Sequence, residues 1–242
     1  LEHSLPKRIK EILKTAGMIG DDMGVNVYCV GGFVRDLLLK VKNFDVDLVV
    51  EGDGIEFARK LAATLGGRAR SHERFRTAVV LLPDGLKIDV ATARTEYYEF
   101  PAALPRVERS SIREDMYRRD FTINTMAICL NAPRYGELID YFGGRQDLEQ
   151  GLIRVLYNLS FVEDPTRIIR AIRFEARFKF RIEPDTLQMA RYAVQRRMLR
   201  HLSYKRIRQE LVLILEERDP VPALRRMEDI GVWQYVLPEV KM

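Results

Sequence analysis

The chain offers almost nothing to thiol or zinc chemistry. Its two cysteines, Cys29 and Cys129, lie far apart among apolar neighbours, and its three histidines, His3, His72 and His201, share no metal-ligand spacing with them. A zinc site is thereby excluded, and two buried free thiols are expected. No run approaches the roughly 18 apolar residues of a membrane helix. No charged stretch followed by an apolar one marks a signal peptide. The expectation is a cytoplasmic protein with no membrane partner. Internal repeats and low-complexity tracts are missing too, and disorder is not expected. The first residue is Leu1 and not methionine, so the start reads as the edge of a fragment.

What is present suits a globular protein: 242 residues, 47% hydrophobic and 31% charged, enough to bury a sizeable core. The net charge of +5 is spread unevenly. From Pro165 onward 17 Lys and Arg stand against 10 Asp and Glu, whereas the preceding part carries 23 against 25. A basic C-terminal part beside a slightly acidic N-terminal part suits a polyanion held by one and metal chemistry done by the other.

Between Val25 and Leu156 short Val- and Ile-rich runs alternate with helical stretches, which predicts a mixed α/β unit. Strands are expected at 27–30, 45–50, 77–82, 87–91 and 152–156. Pro83-Asp84-Gly85 reads as a hairpin turn that makes part of the sheet antiparallel. Helices are expected at 33–39 and 55–65. After Phe161 apolar residues recur at three- and four-residue spacing in 165–178, 184–199, 204–217 and 221–230, so the remainder reads as all helix, with a boundary near Leu159. The stretch from Thr95 to Met116, with Pro101 and Pro105 and little periodicity, is expected to be a mobile loop near function.

The chemistry concentrates in a few places. Val30-Gly31-Gly32-Phe33 joins a strand to a helix, where glycines let backbone amides approach a phosphate; a plain structural turn is the alternative. Asp45 and Asp47 are two apart on a strand and so project from one face. Such a pair suits magnesium, which takes one or two carboxylates and leaves room for water and phosphates. The alternative is two solvated aspartates. Asp89, bounded by Ile88 and Val90, reads as half-buried and is expected to converge on the same site.

These motifs, in this order, resemble the class II tRNA nucleotidyltransferases (CCA-, CC- and A-adding enzymes) and the related bacterial poly(A) polymerases, over about Val25 to Val232. The resemblance implies an α+β fold: a nucleotidyltransferase head with a small mixed β-sheet flanked by helices, followed by an all-α neck and body. Residues 1–24 would then be a lead-in with an N-terminal helix, 25–158 the catalytic head, and 159–242 the neck and part of the body. It implies that Gly31, Gly32 and Arg35 hold the triphosphate. In Arg118-Arg119-Asp120-Phe121-Thr122-Ile123-Asn124 it implies that Asp120 recognises the ribose while Arg119 and Asn124 assist with phosphates. Asp140-Tyr141-Phe142-Gly143-Gly144 is similar to the family's head-to-neck joint. Asp164 and Arg167, with Arg170 and Arg173, match the motif whose first two members pair with the incoming base.

Capping explains Asp164 before Pro165 without any ligand, but not the three arginines, which are expected to make one basic stripe along the helix. Arg197, Arg200, Lys205 and Arg206 are candidates for phosphate contacts with a tRNA acceptor stem. The implied reaction is template-independent addition of nucleotides from ATP, or CTP and ATP, to a tRNA 3′ end, with two Mg2+ ions on Asp45 and Asp47 and with Asp89 as third carboxylate. The wording around Thr95–Pro101 and Ser160–Arg167 leans toward A-adding members. A poly(A) polymerase and a non-catalytic RNA-binding module remain the alternatives.

Overall fold

A computed structural model describes residues 5–42, 45–97, 99–100, 102–103 and 106–236. The strands are β1 (Asn26–Val30), β2 (Val46–Glu51), β3 (Arg68–His72), β4 (Thr77–Leu81), β5 (Lys87–Thr92), β6 (Arg94–Tyr97), β7 (Arg106–Arg109), β8 (Met126–Cys129), β9 (Leu138–Asp140), β10 (Leu152–Ile153) and β11 (Arg181–Ile182). The helices are α1 (Lys7–Met23), α2 (Gly32–Leu38), α3 (Gly54–Thr64), α4 (Ile112–Tyr117), α5 (Gly144–Gln150), α6 (Ser160–Glu163), α7 (Thr166–Phe178), α8 (Pro184–Gln195), α9 (Tyr204–Leu215), α10 (Val221–Ile230) and α11 (Trp233–Val236). None of them is long and apolar enough to cross a membrane. The α+β class expected from the sequence is what is found.

Two compact units emerge from the contacts. The first comprises residues 1–96, 107–119 and 123–145, and the second 97–106, 120–122 and 146–242. The sequence suggested a single boundary near Leu159. Earlier residues go with the helices because Leu152 and Ile153 pair in parallel with Arg181 and Ile182, and because Asp147 is held by Thr122 and Arg154.

The first unit is built on a mixed sheet in the order β3-β4-β5-β2-β1-β8-β9, in which only β2 and β5 run parallel. The turn at 83–85 makes β4 and β5 antiparallel, as read from the sequence, with Gly85 at φ 86° and the Asp84 carboxylate accepting from the Leu86 amide. Alternation on β4 and β5 buries Ala78, Val80, Ile88 and Val90 on one side, where α3 packs. On the other side, α4 brings Ile112 and Met116 onto Tyr28, Val30, Val49, Ala127 and Cys129. Cys29 and Cys129 are free and buried, on opposite faces of the β1–β8 pair, because Cys129 stands opposite Tyr28 and not opposite Cys29.

The stretch from Thr95 to Met116, expected to be a mobile loop, is more structured: β6 and β7 form a two-stranded sheet and α4 begins at Ile112. Tyr98, Pro101, Leu104 and Pro105 of that stretch lie outside the described residues, as do Asn43 and Phe44 before Asp45. In the second unit α7 is the central helix. It buries Ile168, Ile169, Ala171, Ile172 and Phe174 and is flanked by α6, α9 and α10. Phe121 joins this core edge-on to Phe174, ring centroids 5.8 Å apart.

Helix α1 buries Ile9, Ile12, Leu13, Ala16 and Ile19, the three-and-four spacing of a one-sided helix. Gly17 sits where an added Cβ would lie 1.9 Å from the Leu130 carbonyl oxygen, so the helix approaches the sheet through glycine. Gly17→Ala is expected to destabilise the protein by about 1–3 kcal/mol through overpacking against backbone, read as a lower urea midpoint with unchanged m.

Candidate active site

Asp47 on β2 and Asp89 on β5 stand at paired positions on neighbouring parallel strands, so their side chains leave the same face of the sheet. Asp45 lies just before β2. Burial pushes the Asp47 carboxyl up to about 6; Arg119 opposes this, and the charges of Asp89 and Asp45 add to it. Asp89 is raised as well, by burial and by Asp45, with Lys87 opposing. The charges of Asp45 and Asp89 are therefore felt at Asp47, and that of Asp45 at Asp89. Two details differ from what the sequence suggested. Asp89 is exposed rather than half-buried, because it points to the side that α3 leaves open. Among the described residues no three His, Cys, Asp or Glu side chains are gathered closely enough to cage a metal. Magnesium asks for only one or two carboxylates and keeps its other positions for water and phosphates, so Asp45 and Asp47 are a donor set compatible with it.

Gly31 ends β1 at φ 65°, a conformation that favours glycine. Its amide donates to the Met126 carbonyl, so it is not offered to a phosphate. What Gly31 makes room for is a side chain: a Cβ there would lie 2.6 Å from Arg119 Nη1. Gly32 is different, since a Cβ there would meet Arg35 Nη2 at an ordinary 3.5 Å. Arg119 is fixed from behind by Asp115, a fully buried carboxylate (0% exposed) that accepts from Arg119 Nη2 at 3.0 Å and from Arg118 Nη2 at 2.7 Å. Burial pushes the Asp115 carboxyl up, but Arg119 and Arg118 overcome it and hold the group below its ordinary range. Among the described residues the buried Nε of Arg119 has no hydrogen-bond partner. A half-buried, fixed guanidinium beside three carboxylates and under a diglycine turn fits an anionic ligand that brings charge of its own to be neutralised.

Arg35, expected on the triphosphate, is 6% exposed and donates to Asp36 at 2.8 Å and to Asn124 at 2.7 Å. It braces α2 against the segment carrying Asn124, and Asn124 is committed to it in turn.

In the second unit the residues expected to contact nucleotide are tied to one another. Asp120 accepts from Arg170 Nη2 at 2.7 Å and from the Phe121 amide at 2.8 Å. Arg170 and Arg173 both reach Glu210 of α9, and Arg173 also faces Glu217. Arg167, 4% exposed, donates to Ser160 at 2.7 Å and to the Tyr157 hydroxyl at 3.1 Å. The basic stripe anticipated along α7 is thus engaged internally, Arg170 and Arg173 by acids from Asp120 and α9 that no local pattern on α7 reveals, and Arg167 by hydroxyls. Asp164 forms a turn with Thr166 and accepts from Arg206 Nη2 at 2.7 Å. Arg206, a candidate for RNA contact, is held there, whereas Arg197, Arg200 and Lys205 are exposed. Sequence reasoning missed Asp115 and Glu210. The first had a local signal, an acid three and four residues before Arg118 and Arg119 on one helical turn; the second had none.

A parallel strand pair carrying opposed carboxylates, beside a glycine bend that seats an arginine, defines a nucleotidyltransferase-type head. The family model described as "Poly A polymerase head domain" matches residues 27–154. A second, described as "Probable RNA and SrmB- binding site of polymerase A", matches residues 179–242. An A-adding tRNA nucleotidyltransferase of Geobacter sulfurreducens is 53% identical over 99% of this chain and 27% of its own length. The solved CCA-adding enzyme of Thermotoga maritima complexed with tRNA superposes with a TM-score of 0.90 at 47% identity, over 99% of this chain and 55% of that one. A CCA-adding enzyme complexed with ATP does so at 0.91 and 46%, over 100% and 56%. The chain belongs to the family of poly(A) polymerase head domains and class II tRNA nucleotidyltransferases, and it spans about a quarter to just over half of these relatives.

Two outcomes follow from the charges. A raised Asp47 favours the fold fully only below the ordinary carboxylate range of ~3.9, and the advantage is lost as pH rises through about 6. Without divalent cations, Asp47→Asn is therefore expected to raise stability at pH 8 by on the order of 1–3 kcal/mol and to change it little below pH ~4, as read by thermal melts. Asp115→Ala leaves two guanidiniums without their buried partner and is expected to cost about 3–5 kcal/mol in denaturant titrations.

Proposed function

We propose that this chain carries the catalytic part of a cytoplasmic enzyme that adds nucleotides, adenosine from ATP in the first place, to the 3′ end of tRNA and releases pyrophosphate. The observation that carries the reading is the Asp47–Asp89 pair on adjacent strands with the Asp115-held Arg119 beside it. Support for adenosine comes from the A-adding relative. Addition of both C and A is the second reading, favoured by the likeness to CCA-adding enzymes.

In this reading the primer 3′-hydroxyl attacks the α-phosphate in line and pyrophosphate leaves. Asp45 and Asp47 would hold Mg2+, two ions in all, which when bound lower the pKa of the attacking hydroxyl and neutralise charge on the triphosphate. Asp89, exposed and with a raised pKa, is suited to take the hydroxyl proton. Arg119 presents fixed positive charge to the phosphates at no reorganisation cost, since Asp115 has already oriented it. Gly31 keeps the space it occupies clear, and Arg35 holds Asn124 and α2 in register behind it. The neighbourhood of Asp120, Asp164, Arg167, Arg170 and Arg173 is proposed to bind the ribose and base, with the ion pairs on Glu210 and Arg206 keeping those groups rigid. Arg197, Arg200 and Lys205 are the proposed contacts to the acceptor stem.

The deciding experiment gives the full-length protein each labelled triphosphate with tRNAs ending before the first C, after both Cs, and after the complete CCA. One A added to the second substrate alone is the expected result. C addition to the first indicates CCA synthesis, and a long A tail indicates a poly(A) polymerase. Asp45→Ala and Asp47→Ala are each expected to lower kcat by at least ~100-fold; near-normal incorporation by either variant rules out the metal assignment.

A further inference from the structure

The face of the sheet that carries Asp47 and Asp89 does not stop at them. In register across four neighbouring strands run Arg70 of β3, Val79 of β4, Asp89 of β5 and Asp47 of β2. The next row toward the start of β5 is Arg68, Leu81 and Lys87. Helix α3 covers the opposite face of these strands, while α4 and its apolar cluster cover this face only around β1, β2 and β8. The β3–β4–β5 part is left open: Arg68, Arg70, Lys87 and Asp89 are exposed, as is Leu81. Among the described residues neither Arg68 nor Arg70 has an ion-pair or hydrogen-bonded side-chain partner. Two acids close by in the chain, Glu73 after β3 and Asp84 in the β4–β5 turn, are engaged elsewhere, Glu73 with Ser71 and Arg59, and Asp84 with Arg8.

Charge on an outermost strand guards it against pairing with another sheet, and either sign serves that purpose. Here every charge that β3 sets beside the open face is positive, on the strand two removed from Asp89, about 10 Å away at ordinary strand spacing. Arg119 lies on the other side of Asp47, at the end of β1. The carboxylates are thus flanked by positive charge on both sides, and a transfer between two polyanions needs one such seat for each. If the triphosphate takes the Arg119 side, as in the reading above on which this rests, the β3 side is left for the second.

We propose that Arg68 and Arg70, with Lys87, form a phosphate track on the open sheet face along which the backbone of the RNA primer strand reaches the carboxylates. The contacts are to phosphodiesters and carry no base preference. Removing them weakens RNA binding and its salt dependence and leaves triphosphate binding alone.

The test uses full-length protein with the double substitution Arg68→Glu/Arg70→Glu, and Arg68→Gln/Arg70→Gln as the milder pair, each checked for an unchanged melting temperature. Steady-state rates are measured with tRNA lacking its terminal adenosine and with ATP. Loss of two phosphate contacts should lower the slope of log affinity against log salt by about 1.5 and raise KM for tRNA by roughly 10-fold or more, with KM for ATP and kcat within about twofold of wild type. Protection of Lys87 from acetylation on adding tRNA is the second expected result. Unchanged tRNA KM and salt slope would overturn the track, and so would an equal rise in KM for ATP. Lys87 already protected in the free full-length protein would mean that protein covers this face, and the RNA assignment would fall. A wild-type protein that extends no RNA defeats the reading of function itself; a fully active wild type with unaffected variants defeats only the track.

Discussion

Repulsion between carboxylates fixed on adjacent parallel strands is the constraint around which the first unit is arranged. The β2–β5 pairing sets Asp47 beside Asp89 whatever their charges prefer, and burial makes the ionised form of Asp47 costly. A fold keeps such an arrangement only if positive charge can be brought to it. Part of that charge is built in as Arg119, seated under Gly31 and locked by Asp115; in the proposed function a cation and the substrate would bring the rest.

The helical unit handles its charges in the opposite way. Arg167, Arg170 and Arg173 would be expensive to bury singly, and they are matched by Ser160 and Tyr157, by Asp120 and by Glu210. Buried ion pairs of this kind add little net stability but penalise any packing that separates the partners. Asp120 and Asp164 are thereby held in defined orientations, as the proposed base- and ribose-binding role would require.

Much of the fold was legible, and the exceptions have local causes. Strands β1, β2, β4 and β5 announce themselves by β-branched residues and turns. Strand β3 does not, because Arg68-Ala69-Arg70-Ser71-His72 is an outermost strand with one face on α3 and one left open, so its alternation is of polar against small residues. Strand β8 is buried on both faces and lacks alternation altogether, and β9 is too short to register. The helices after Pro165 were readable from apolar spacing, though α8 and α9 end earlier than the pattern suggested, since spacing persists beyond the last hydrogen-bonded turn.

By itself the sequence determined the class of the protein and the chemical types at its site: an Asp-x-Asp on a strand, a diglycine turn, a later acid, and arginine-rich helices. The chemical types rest on short-range rules of periodicity and spacing, and the class on the resemblance that their order bears to a known family. Only tertiary structure decided which charges face each other. It engaged the α7 arginines, expected as one basic stripe, with internal partners, tied Arg35 to Asp36 and Asn124, gave Gly31 its reason in Arg119, and left the β3 side of the carboxylate face open. Partners supplied by distant segments, Glu210 to Arg170 or Asp89 to Asp47, have no signature in local spacing, because strand order and helix packing set those distances.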